Sequence, residues 1–592
     1  MLPNAYSRSC QVKNKRRFYP LALLLIFTVS ASAHSAVLPD EQIQVNTGSN
    51  EARVPGDPRV AVIITDSQST YFKPASFYSP ALIGTKTPKP GEIFNEKNPY
   101  ATLCKSLRDP DCAAFPSRAI TAKYPYCSPK DPLICLKSFW AILPDGKRIE
   151  ATFIKELDPG SPVRSISEPI YGLPRTAGDS IFEFRDESGA VAIKHNGGSL
   201  FALRSSLTGY LGAGAYDFEG AVFAVALREN ASKEIFFRGY TNVANGAGYS
   251  YNWNPAVATD CAVMGVGVCG VQFTLPTDIR FGVEMQSTVF PIKWSHGRLD
   301  SPVASTKFDG KIYSLSIEAK PTRIPVVSGS ARFSQLTPAL QKRYPNAIES
   351  DKQSGTKGAI TLDDLSPAQG DRSLAALKDW LEYLPDKAQA IPTAWSIRTI
   401  SVSDLNTAKF PTKCLNLDEN FAGLVTTNAT AYSSGPPRFD SATGTLEYQV
   451  AAPHFEKDGV TPFKGSYDLA IRSDVARCIY GFTSAPVQAT ISILSSGTEQ
   501  KIASTTFKEE NGWMNFSAKN FEFSTPKLML KLTQNSPTEQ AQAPAPKKSA
   551  TAAPAAPLKP AVRTISITCV KGKEIRKVSG RSPVCPKGFK KR

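Results

Sequence analysis

The spacing of the cysteines constrains the fold of this chain more than any other feature of its sequence. Of the 11 cysteines, all but Cys10 form a nearest-neighbour series in which three pairs are each eight residues apart. The candidate disulfide pairs are Cys104 with Cys112, Cys127 with Cys135, Cys261 with Cys269, Cys414 with Cys478, and Cys569 with Cys585. The short spacings suit a bond across a hairpin or a compact loop. Many other connectivities are formally possible, so this pairing is a hypothesis.

The N-terminal segment 1–33 has the layout of a cleaved secretory signal. A basic run at 13–17 precedes an apolar stretch at 21–29, and the small residues 31–33 offer a cleavage site after Ala33. The apolar stretch is too short to span a bilayer. Its removal would also remove Cys10 and leave an even number of cysteines, as an oxidising compartment favours. We therefore expect an exported, disulfide-bonded chain, with an uncleaved membrane anchor as the less favoured alternative.

Positive charge is concentrated at the two ends of the chain. Residues 1–33 contain five Lys or Arg and no acid, and residues 541–592 contain thirteen against one acid. The ends therefore carry +5 and +12 of the total charge of +17, and residues 34–540 are neutral overall. A chain of this kind is not basic in the sense typical of nucleic-acid-binding proteins, and we expect no nucleic-acid partner. Any partner attracted by charge would contact the tail.

Alternation of apolar and polar residues indicates half-buried antiparallel sheet within residues 176–330. Phe182 and Phe184 alternate there with Glu183 and Arg185. The 46 prolines and 39 glycines of the chain also favour short strands joined by turns over long helices.

A second region with the same alternation lies within residues 393–534. Leu528, Leu530 and Leu532 alternate there with Lys and Met residues. We predict a mainly β fold with two antiparallel sandwich-like β domains.

Composition divides the rest of the chain into further segments. The predicted organisation is a signal peptide at 1–33, an irregular disulfide-stapled N-terminal region at 37–175, a β-sandwich-like domain at 176–330, a small helical insert at 331–392, a second β domain at 393–534, an Ala/Pro/Lys linker at 535–563 and a small, basic, disulfide-stapled C-terminal hairpin module at 564–592.

Two helices are predicted in the insert. Thr337 before Pro338 is a typical N-cap and first-turn pair, for a helix that ends by Tyr344. A second helix is expected from about Arg372 until just before Pro385. Its apolar stripe consists of Leu374, Leu377, Leu381 and Leu384. An apolar helical stripe is usually core, so we expect it to pack on a sheet rather than to bind a partner.

Motifs of common catalytic sites are missing from the sequence. It contains no Gly-x-Ser-x-Gly elbow, no His-Glu-x-x-His motif, no Walker glycines and no Cys-x-x-Cys. We therefore predict no metal and no cofactor, and the catalytic residues of any enzyme activity remain unknown. His195, His296 and His454 are interpreted as surface or structural side chains rather than as catalytic bases.

Paired carboxylates leave one enzymatic alternative open. Asp217 and Glu219 would share one face of a strand, and a glycosidase needs two acids at the correct separation. A solvated strand face accounts for the two residues equally well.

Aromatic residues provide the candidate ligand site. In a strand, Tyr249, Tyr251 and Trp253 would line one face and could form a stacking platform for a sugar. The competing interpretation, which we favour, is that these rings belong to a hydrophobic core.

The C-terminal module resembles a known type. The runs Ile567-Thr568-Cys569-Val570-Lys571-Gly572-Lys573 and Cys585-Pro586-Lys587-Gly588-Phe589-Lys590-Lys591 are similar to the C-terminal module of uncharacterised secreted and cell-surface proteins of actinobacteria. In those proteins the module follows an Ala/Pro/Lys linker, as here. The resemblance implies a secreted or cell-wall-associated location. It supplies no reaction, ligand or catalytic residue.

The sequence therefore favours an exported cell-envelope or secreted protein that is non-enzymatic and has a binding or structural role. Its expected partner is an anionic cell-wall polymer or glycan held by the basic tail, although a merely solubilising tail would have the same composition. The alternative function is a secreted carbohydrate-active hydrolase with paired carboxylates in residues 176–330. No transmembrane span is expected after cleavage of the signal.

Overall fold

The computed structural model describes most of the chain between Glu51 and Lys591, with gaps. The described residues are 51–65, 81–85, 101–112, 115, 117–161, 163–212, 215–231, 261–289, 294–349, 360–365, 372–400, 405, 410–415, 421–495, 498–499, 504–523, 527–534, 565–571, 574–580, 585–586 and 589–591. The chain divides into two compact units, Met1–Gln534 and Asn535–Arg592.

Short strands dominate the described residues, as the many prolines and glycines predict. The strands of the first half are β1 (Arg59–Ile64), β2 (Ala81–Thr85), β3 (Ala101–Cys104), β4 (Ser117–Ala122), β5 (Cys135–Ile142), β6 (Arg148–Glu156), β7 (Ser180–Phe184), β8 (Leu200–Gly212), β9 (Ala215–Ala231), β10 (Cys261–Gly265), β11 (Val268–Phe273), β12 (Arg280–Ser287), β13 (Trp294–Arg298), β14 (Asp300–Phe308), β15 (Tyr313–Lys320), β16 (Thr322–Arg323) and β17 (Val327–Arg332).

The second half continues the pattern. Its strands are β18 (Ile360–Leu365), β19 (Thr393–Ala394), β20 (Ser396–Thr399), β21 (Gly423–Thr427), β22 (Ala431–Tyr432), β23 (Arg438–Asp440), β24 (Thr445–Ala451), β25 (Lys464–Arg472), β26 (Val487–Ser495), β27 (Thr498–Glu499), β28 (Ser504–Glu510), β29 (Trp513–Glu522), β30 (Lys527–Gln534), β31 (Ile565–Lys571), β32 (Glu574–Gly580) and β33 (Lys590–Lys591). The predicted mainly β fold is confirmed.

Helices are few and short in the described residues. The α-helices are α1 (Pro338–Arg343), α2 (Arg372–Trp380) and α3 (Ser473–Tyr480). The 3-10 helices are Pro110–Cys112, Pro169–Tyr171, Phe333–Gln335, Leu381–Tyr383 and Thr412–Cys414. In the part of the chain that the structure describes, no helix has both the length and the apolar character needed to cross a membrane.

Most strands of the first unit belong to one hydrogen-bonded network of 19 strands. Its main path runs β14-β15-β12-β5-β6-β7-β8-β9-β20-β13-β21-β25-β29-β28, and every pairing on it is antiparallel except β13 with β21. Strands β4, β2 and β3 extend from β8, and β11 and β10 extend from β9.

The network crosses two boundaries that composition suggested. Phe184 of β7 pairs with Ala151 of β6, across the boundary near 175. Ser396 of β20 pairs with Phe223 of β9, across the boundary near 392. Residues 37–175, expected to be irregular, contribute β1 to β6. Local alternation identifies a strand but not its partner, because pairing is decided by residues far apart in the chain.

An aromatic cluster lies at the centre of the first core. Phe139, Phe182, Phe184, Phe201 and Phe281 are buried, and their ring centroids lie 5.0 to 6.1 Å apart in successive contacts. Each such pair contributes about 0.5–1.5 kcal/mol beyond the burial of its area. The rings come from β5, β7, β8 and β12, so they hold neighbouring and opposing parts of the network together.

The prediction that the sheet is half-buried is wrong for β7, which is buried at every position. Phe182 and Phe184 face the aromatic cluster, whereas Ile181 belongs to a second cluster with Ala262 and Val263 of β10. The β10–β11 hairpin therefore covers the face that alternation assigned to solvent. Glu183 lies on that face, is only 6% exposed and accepts a hydrogen bond from Ser199.

Residues 421–534 form a sandwich of two sheets. One layer consists of β22 and β23 with β24, β30, β26 and β27, and the other is the β21–β25–β29 arm of the network. Leu446, Leu528 and Leu530 from the first layer pack against Leu469 and Phe516 from the second. The alternation read from residues 528–532 thus places the leucines inside the sandwich, as predicted.

The third core is a small α/β layer. Strand β1 lies between β17, to which it is antiparallel, and β18, to which it is parallel. Helices α1 and α2 supply apolar side chains to the same core. The predicted N-cap is confirmed, since the Thr337 side chain accepts a hydrogen bond from the backbone N–H of Leu340 at 3.4 Å.

The predicted leucine stripe of the second helix is only partly correct. Leu374 and Leu377 are buried, and Leu384 packs at the edge of the third core. Leu381 is 56% exposed, because α2 ends at Trp380 and the tighter 3-10 turn that follows rotates this side chain away from the core.

Glycines in three strands lie beneath aromatic rings of the paired strand. Gly282 pairs with Trp140, Gly465 with Phe521, and Gly423 with Trp294. A Cβ placed on Gly282 would lie 2.0 Å from the Trp140 ring, and one on Gly465 would lie 2.2 Å from the Phe521 ring. The missing side chain provides the space for the ring, which in turn shields the exposed glycine backbone.

The glycine–ring contacts predict a position-specific loss of stability. Gly282→Ala should destabilise the protein by about 1–3 kcal/mol in chemical denaturation, because the methyl group displaces a buried tryptophan. Gly220→Ala is the matched control in the same network, since a Cβ at Gly220 would meet no atom closer than 3.6 Å. Equal effects of the two substitutions would contradict the proposed role of the ring.

Disulfide bonds are present where both cysteine side chains are described. The bonded pairs are Cys104 with Cys112, Cys127 with Cys135, and Cys414 with Cys478. Cys269 and Cys585 are also disulfide-bonded. The side chains of Cys261 and Cys569 lie outside the described ones, so the pairings inferred for them stay predictions.

The disulfide bonds should differ in their contribution to stability. Cys414 and Cys478 are 64 residues apart in sequence, whereas Cys104 and Cys112 are 8 apart. Loop-closure entropy predicts that Cys478→Ser reduces the free energy of unfolding by about 2 kcal/mol more than Cys112→Ser. Urea titration of both variants measures the difference, and a larger loss for Cys112→Ser would count against the entropic account.

The second unit contains a three-stranded antiparallel sheet with β31 between β32 and β33. Cys569 of β31 pairs with Arg576 on one side and with Lys591 on the other. The hairpin predicted for the module is therefore present, with β33 as an additional strand.

Candidate functional site

The residues singled out for catalysis or sugar stacking are only partly described. Tyr249, Tyr251 and Trp253 lie outside the described residues, so the stacking platform stays a prediction. Asp217 and Glu219 lie two residues apart on β9, opposite Tyr210 and Thr208 of β8. Glu219 is exposed, and the side chain of Asp217 lies outside the described ones. The paired-carboxylate hypothesis stays untested as well.

His195 and His454, two of the three histidines considered above as possible bases, both form hydrogen bonds within the protein. His195 Nε2 lies 2.8 Å from the carbonyl oxygen of Leu200, and His195 Nδ1 accepts a hydrogen bond from the backbone N–H of Gly197. Burial lowers the pKa of His195. His454 lies near the surface, with Nδ1 2.8 Å from both carboxylate oxygens of Asp386.

His296 lies inside a buried polar cluster between β13 and the sandwich. Its ring stacks on Tyr432 with a centroid distance of 4.7 Å, and its Nδ1 lies 3.2 Å from the Tyr448 hydroxyl. The Arg298 guanidinium lies over the ring of Tyr432, 4.7 Å from its centroid. Arg298 also donates to the carbonyl oxygens of Thr427 and Ala429.

The His296 cluster contacts a largely buried loop from its inner side. The loop, residues 433–436, has the sequence Ser-Ser-Gly-Pro. The Tyr448 hydroxyl donates to the carbonyl oxygen of Ser433 at 2.9 Å, and His296 Nε2 lies 3.2 Å from the carbonyl oxygen of Gly435. A carbonyl oxygen can only accept, so this second contact places a proton on Nε2. The inward-facing carbonyl groups are thus bound, and the proline restricts the loop further.

Above this loop lies a groove of about 350 Å³. We call it the α2 groove, and it is lined by Leu374, Ala375, Lys378, Ser433, Ser434, Gly435, Pro436, Arg438, Glu447 and Gln449. Helix α2 forms one wall, the loop 433–436 the other, and the outward face of β24 the floor. Its volume falls in the range of small-ligand sites, about 300–1,000 Å³.

The charges around the α2 groove are unequally neutralised. Glu447 lies opposite Arg438 in the β23–β24 register, but its carboxylate pairs with Lys527 of β30 at 2.6 Å. Lys378 Nζ donates to the Gln449 side chain at 3.3 Å and has no carboxylate partner among the residues that the structure describes. Arg438 is exposed and forms no ion pair within the described residues. The groove is therefore positive overall.

Arg438 also influences a neighbouring carboxylate. The pKa of Asp440 is lowered chiefly because the backbone N–H of Ala442 donates to its carboxylate, and the positive charge of Arg438 contributes further. Since the turn satisfies Asp440, the guanidinium of Arg438 stays available at the groove.

A smaller pocket of about 190 Å³ lies on the outer face of β5, β12, β14 and β15. Its aromatic floor is Trp140, over which the Arg148 guanidinium stacks at 4.1 Å from the ring centroid. Its carboxylate, Glu284, pairs with Lys137 at 2.9 Å. The stacked arginine covers the ring, so this pocket does not offer a free platform for a sugar.

One buried ionic cluster lies away from both pockets. Lys123 Nζ lies 2.5 Å from the carboxylate of Asp179, and Arg204 is close enough to interact with that carboxylate electrostatically. Burial lowers the pKa of Lys123. The cluster links the segment that follows β4, strand β8 and the segment before β7, and we interpret it as structural. Among the described residues, no group of His, Cys, Asp and Glu side chains is arranged to hold a metal ion.

Sequence reasoning did not find the α2 groove. Its walls are an amphipathic helix and a loop that are far apart in the chain, and its floor is a strand, so local patterns indicate only a core helix and a sheet. A local signal does exist, since Arg438 directly follows the turn-rich run 433–437, but turns of this kind are common.

The fold and the groove define a class of protein and no reaction: a mainly β, disulfide-bonded chain with a positively charged surface groove. Comparison of the chain with models of known protein families, with curated proteins and with solved structures finds no match.

The anchoring of the loop 433–436 can be tested by removing one hydroxyl. Tyr448→Phe should reduce the free energy of unfolding by about 1–3 kcal/mol, because the partly buried Ser433 carbonyl group loses its donor. Tyr432→Phe is the matched control, since within the described residues its hydroxyl accepts only one long hydrogen bond, from Arg398 at 3.4 Å. Chemical denaturation gives both values, and a greater loss in Tyr432→Phe would refute the assigned anchor.

Proposed function

We propose that this chain is an exported cell-envelope or secreted protein with a non-enzymatic role in binding or surface structure. In this proposal the β unit presents the binding surface, and the basic C-terminal module keeps the protein near an anionic wall polymer or glycan. The observation that carries the proposal is the division of charge, with +12 within residues 541–592 and a neutral 34–540.

The architecture of the tail supports this division. The module forms its own three-stranded sheet in the second compact unit, after a linker rich in Ala and Pro. An Ala- and Pro-rich composition is typical of spacer segments between folded units. Near a charged membrane, each basic residue contributes about 1 kcal/mol of attraction, which salt screens.

The state of the pocket carboxylates supports a non-enzymatic role. Glu447 in the α2 groove pairs with Lys527, and Glu284 in the smaller pocket pairs with Lys137. Each carboxylate is thus engaged by a lysine of the protein rather than directed at a substrate, where a general acid would have to lie.

Deletion of residues 541–592 tests the proposal. The truncated protein should lose salt-sensitive retention on isolated cell walls, because the charge that attracts the polymer is gone. The measurement is the bound fraction as a function of salt concentration, with the full chain as reference.

The matched control preserves charge. Replacing Lys587, Lys590 and Lys591 by arginine keeps the tail charge and should leave retention unchanged. Full retention of the truncated protein, or retention of the full chain that is insensitive to salt, would contradict the proposal.

A further inference from the structure

The α2 groove combines three properties that together identify a class of ligand. Its volume of about 350 Å³ suits a short stretch of a polar molecule. Its lining combines positively charged side chains on α2 and β23 with uncharged polar side chains on the loop 433–436 and on β24. Its loop wall is fixed in position before any ligand arrives.

The first property is positive charge on both sides of the groove. Lys378 on α2 and Arg438 on β23 line the groove, and neither has a carboxylate partner within the described residues. The acid between them in the lining, Glu447, is engaged by Lys527 at 2.6 Å. A ligand with an anionic group would complete charge-assisted hydrogen bonds here, and a planar guanidinium suits the two oxygens of a carboxylate or phosphate.

The second property is a set of neutral polar groups without an aromatic ring. Ser433, Ser434 and Gln449 contribute hydroxyl and amide groups to the lining, and its apolar members are Leu374, Ala375 and Pro436. Hydroxyl and amide groups pair with the hydroxyl groups of a polyol or sugar. The lining has no ring on which a neutral sugar could stack, so charge and hydrogen bonds would provide the recognition.

The third property is preorganisation of the loop 433–436. Tyr448 and His296 hold the carbonyl groups of Ser433 and Gly435 from below, and the loop residue Pro436 is buried. A binding surface that is already ordered loses less conformational entropy when the ligand binds.

We propose that the α2 groove binds an anionic, hydroxyl-rich polymer segment, with Arg438 and Lys378 contacting its oxyanion and Ser433 and Gln449 contacting its hydroxyl groups. The oxyanion is a phosphodiester or a sugar carboxylate, which share this chemistry. The site is distinct from the basic module, and its ligand class fits an anionic envelope polymer, so the inference deepens the proposed function.

The test measures binding of defined oligomers to the purified full chain. The probes are a glycerol oligomer linked by phosphodiesters, an oligomer of galacturonic acid and a neutral oligomer of glucose. The chain should bind at least one anionic probe more tightly than the neutral one. Binding of the phosphodiester alone or of the uronate alone assigns the source of the oxyanion, and either result supports the proposal.

Substitutions locate the binding. Arg438→Gln and Lys378→Gln should each weaken binding of the anionic probe by about tenfold, as loss of one charge-assisted contact predicts. Lys342→Gln is the matched control, because Lys342 is an exposed lysine on α1 outside the groove. All three variants remove one positive charge and should have the unfolding free energy of the parent chain.

The basic module is unchanged in every variant, so its contribution cancels in these comparisons. Equal effects of the groove variants and the control, or equally tight binding of the neutral oligomer, would overturn the proposal. Loss of wall retention on tail deletion is a separate result, so either proposal can fail while the other stands.

Discussion

The pairing of β8 with β9 is the interaction on which the rest of the first unit depends. The two strands pair from Leu200 with Leu227 to Gly212 with Ala215. On its other edge, β8 pairs with β7 near Leu200 and with β4 further along the strand. The other edge of β9 is likewise shared, between β11 and β20. When one edge of a long strand pairs with two shorter strands, few of its backbone groups stay unpaired and the sheet can branch. Both the aromatic core and the arm that leads to the sandwich begin at this hairpin.

The α2 groove is a consequence of how two cores meet. Trp380 and Leu374 of α2 belong to the third core together with Ala431 of β22 and Ala451 of β24, which pair with each other in the sandwich. The helix therefore lies beside β24 and leaves its exposed side, with Lys378, above the outward face of that strand. The buried His296 cluster fixes the opposite wall. Positive charge at the groove persists because Glu447 is engaged across the sheet by Lys527.

Some features of this protein could be predicted because their cause is local. Leu528, Leu530 and Leu532 alternate with polar residues and face the sandwich core, and Thr337 caps α1 as its sequence context indicates. The short-range disulfide bond of Cys104 with Cys112 needs only a compact loop. Glu183 was misjudged because its burial depends on the β10–β11 hairpin, which comes much later in the chain. The α2 groove was missed for the same reason.

The sequence by itself determined the mainly β class, the positions of some strands, two of the short helices and the separation of a neutral body from a basic tail. The class, the strands and the helices follow from the spacing of apolar residues and from turn residues, whose effects extend over a few residues. The charge of each segment is simply the sum of the charges of its side chains. Only the tertiary structure decided which strands pair across residues 175 and 392. It also decided which strands are buried on both faces and which charged side chains near α2 have no carboxylate partner within the described residues. Those outcomes depend on contacts between residues distant in the chain, and the local sequence does not specify which distant segment a strand pairs with.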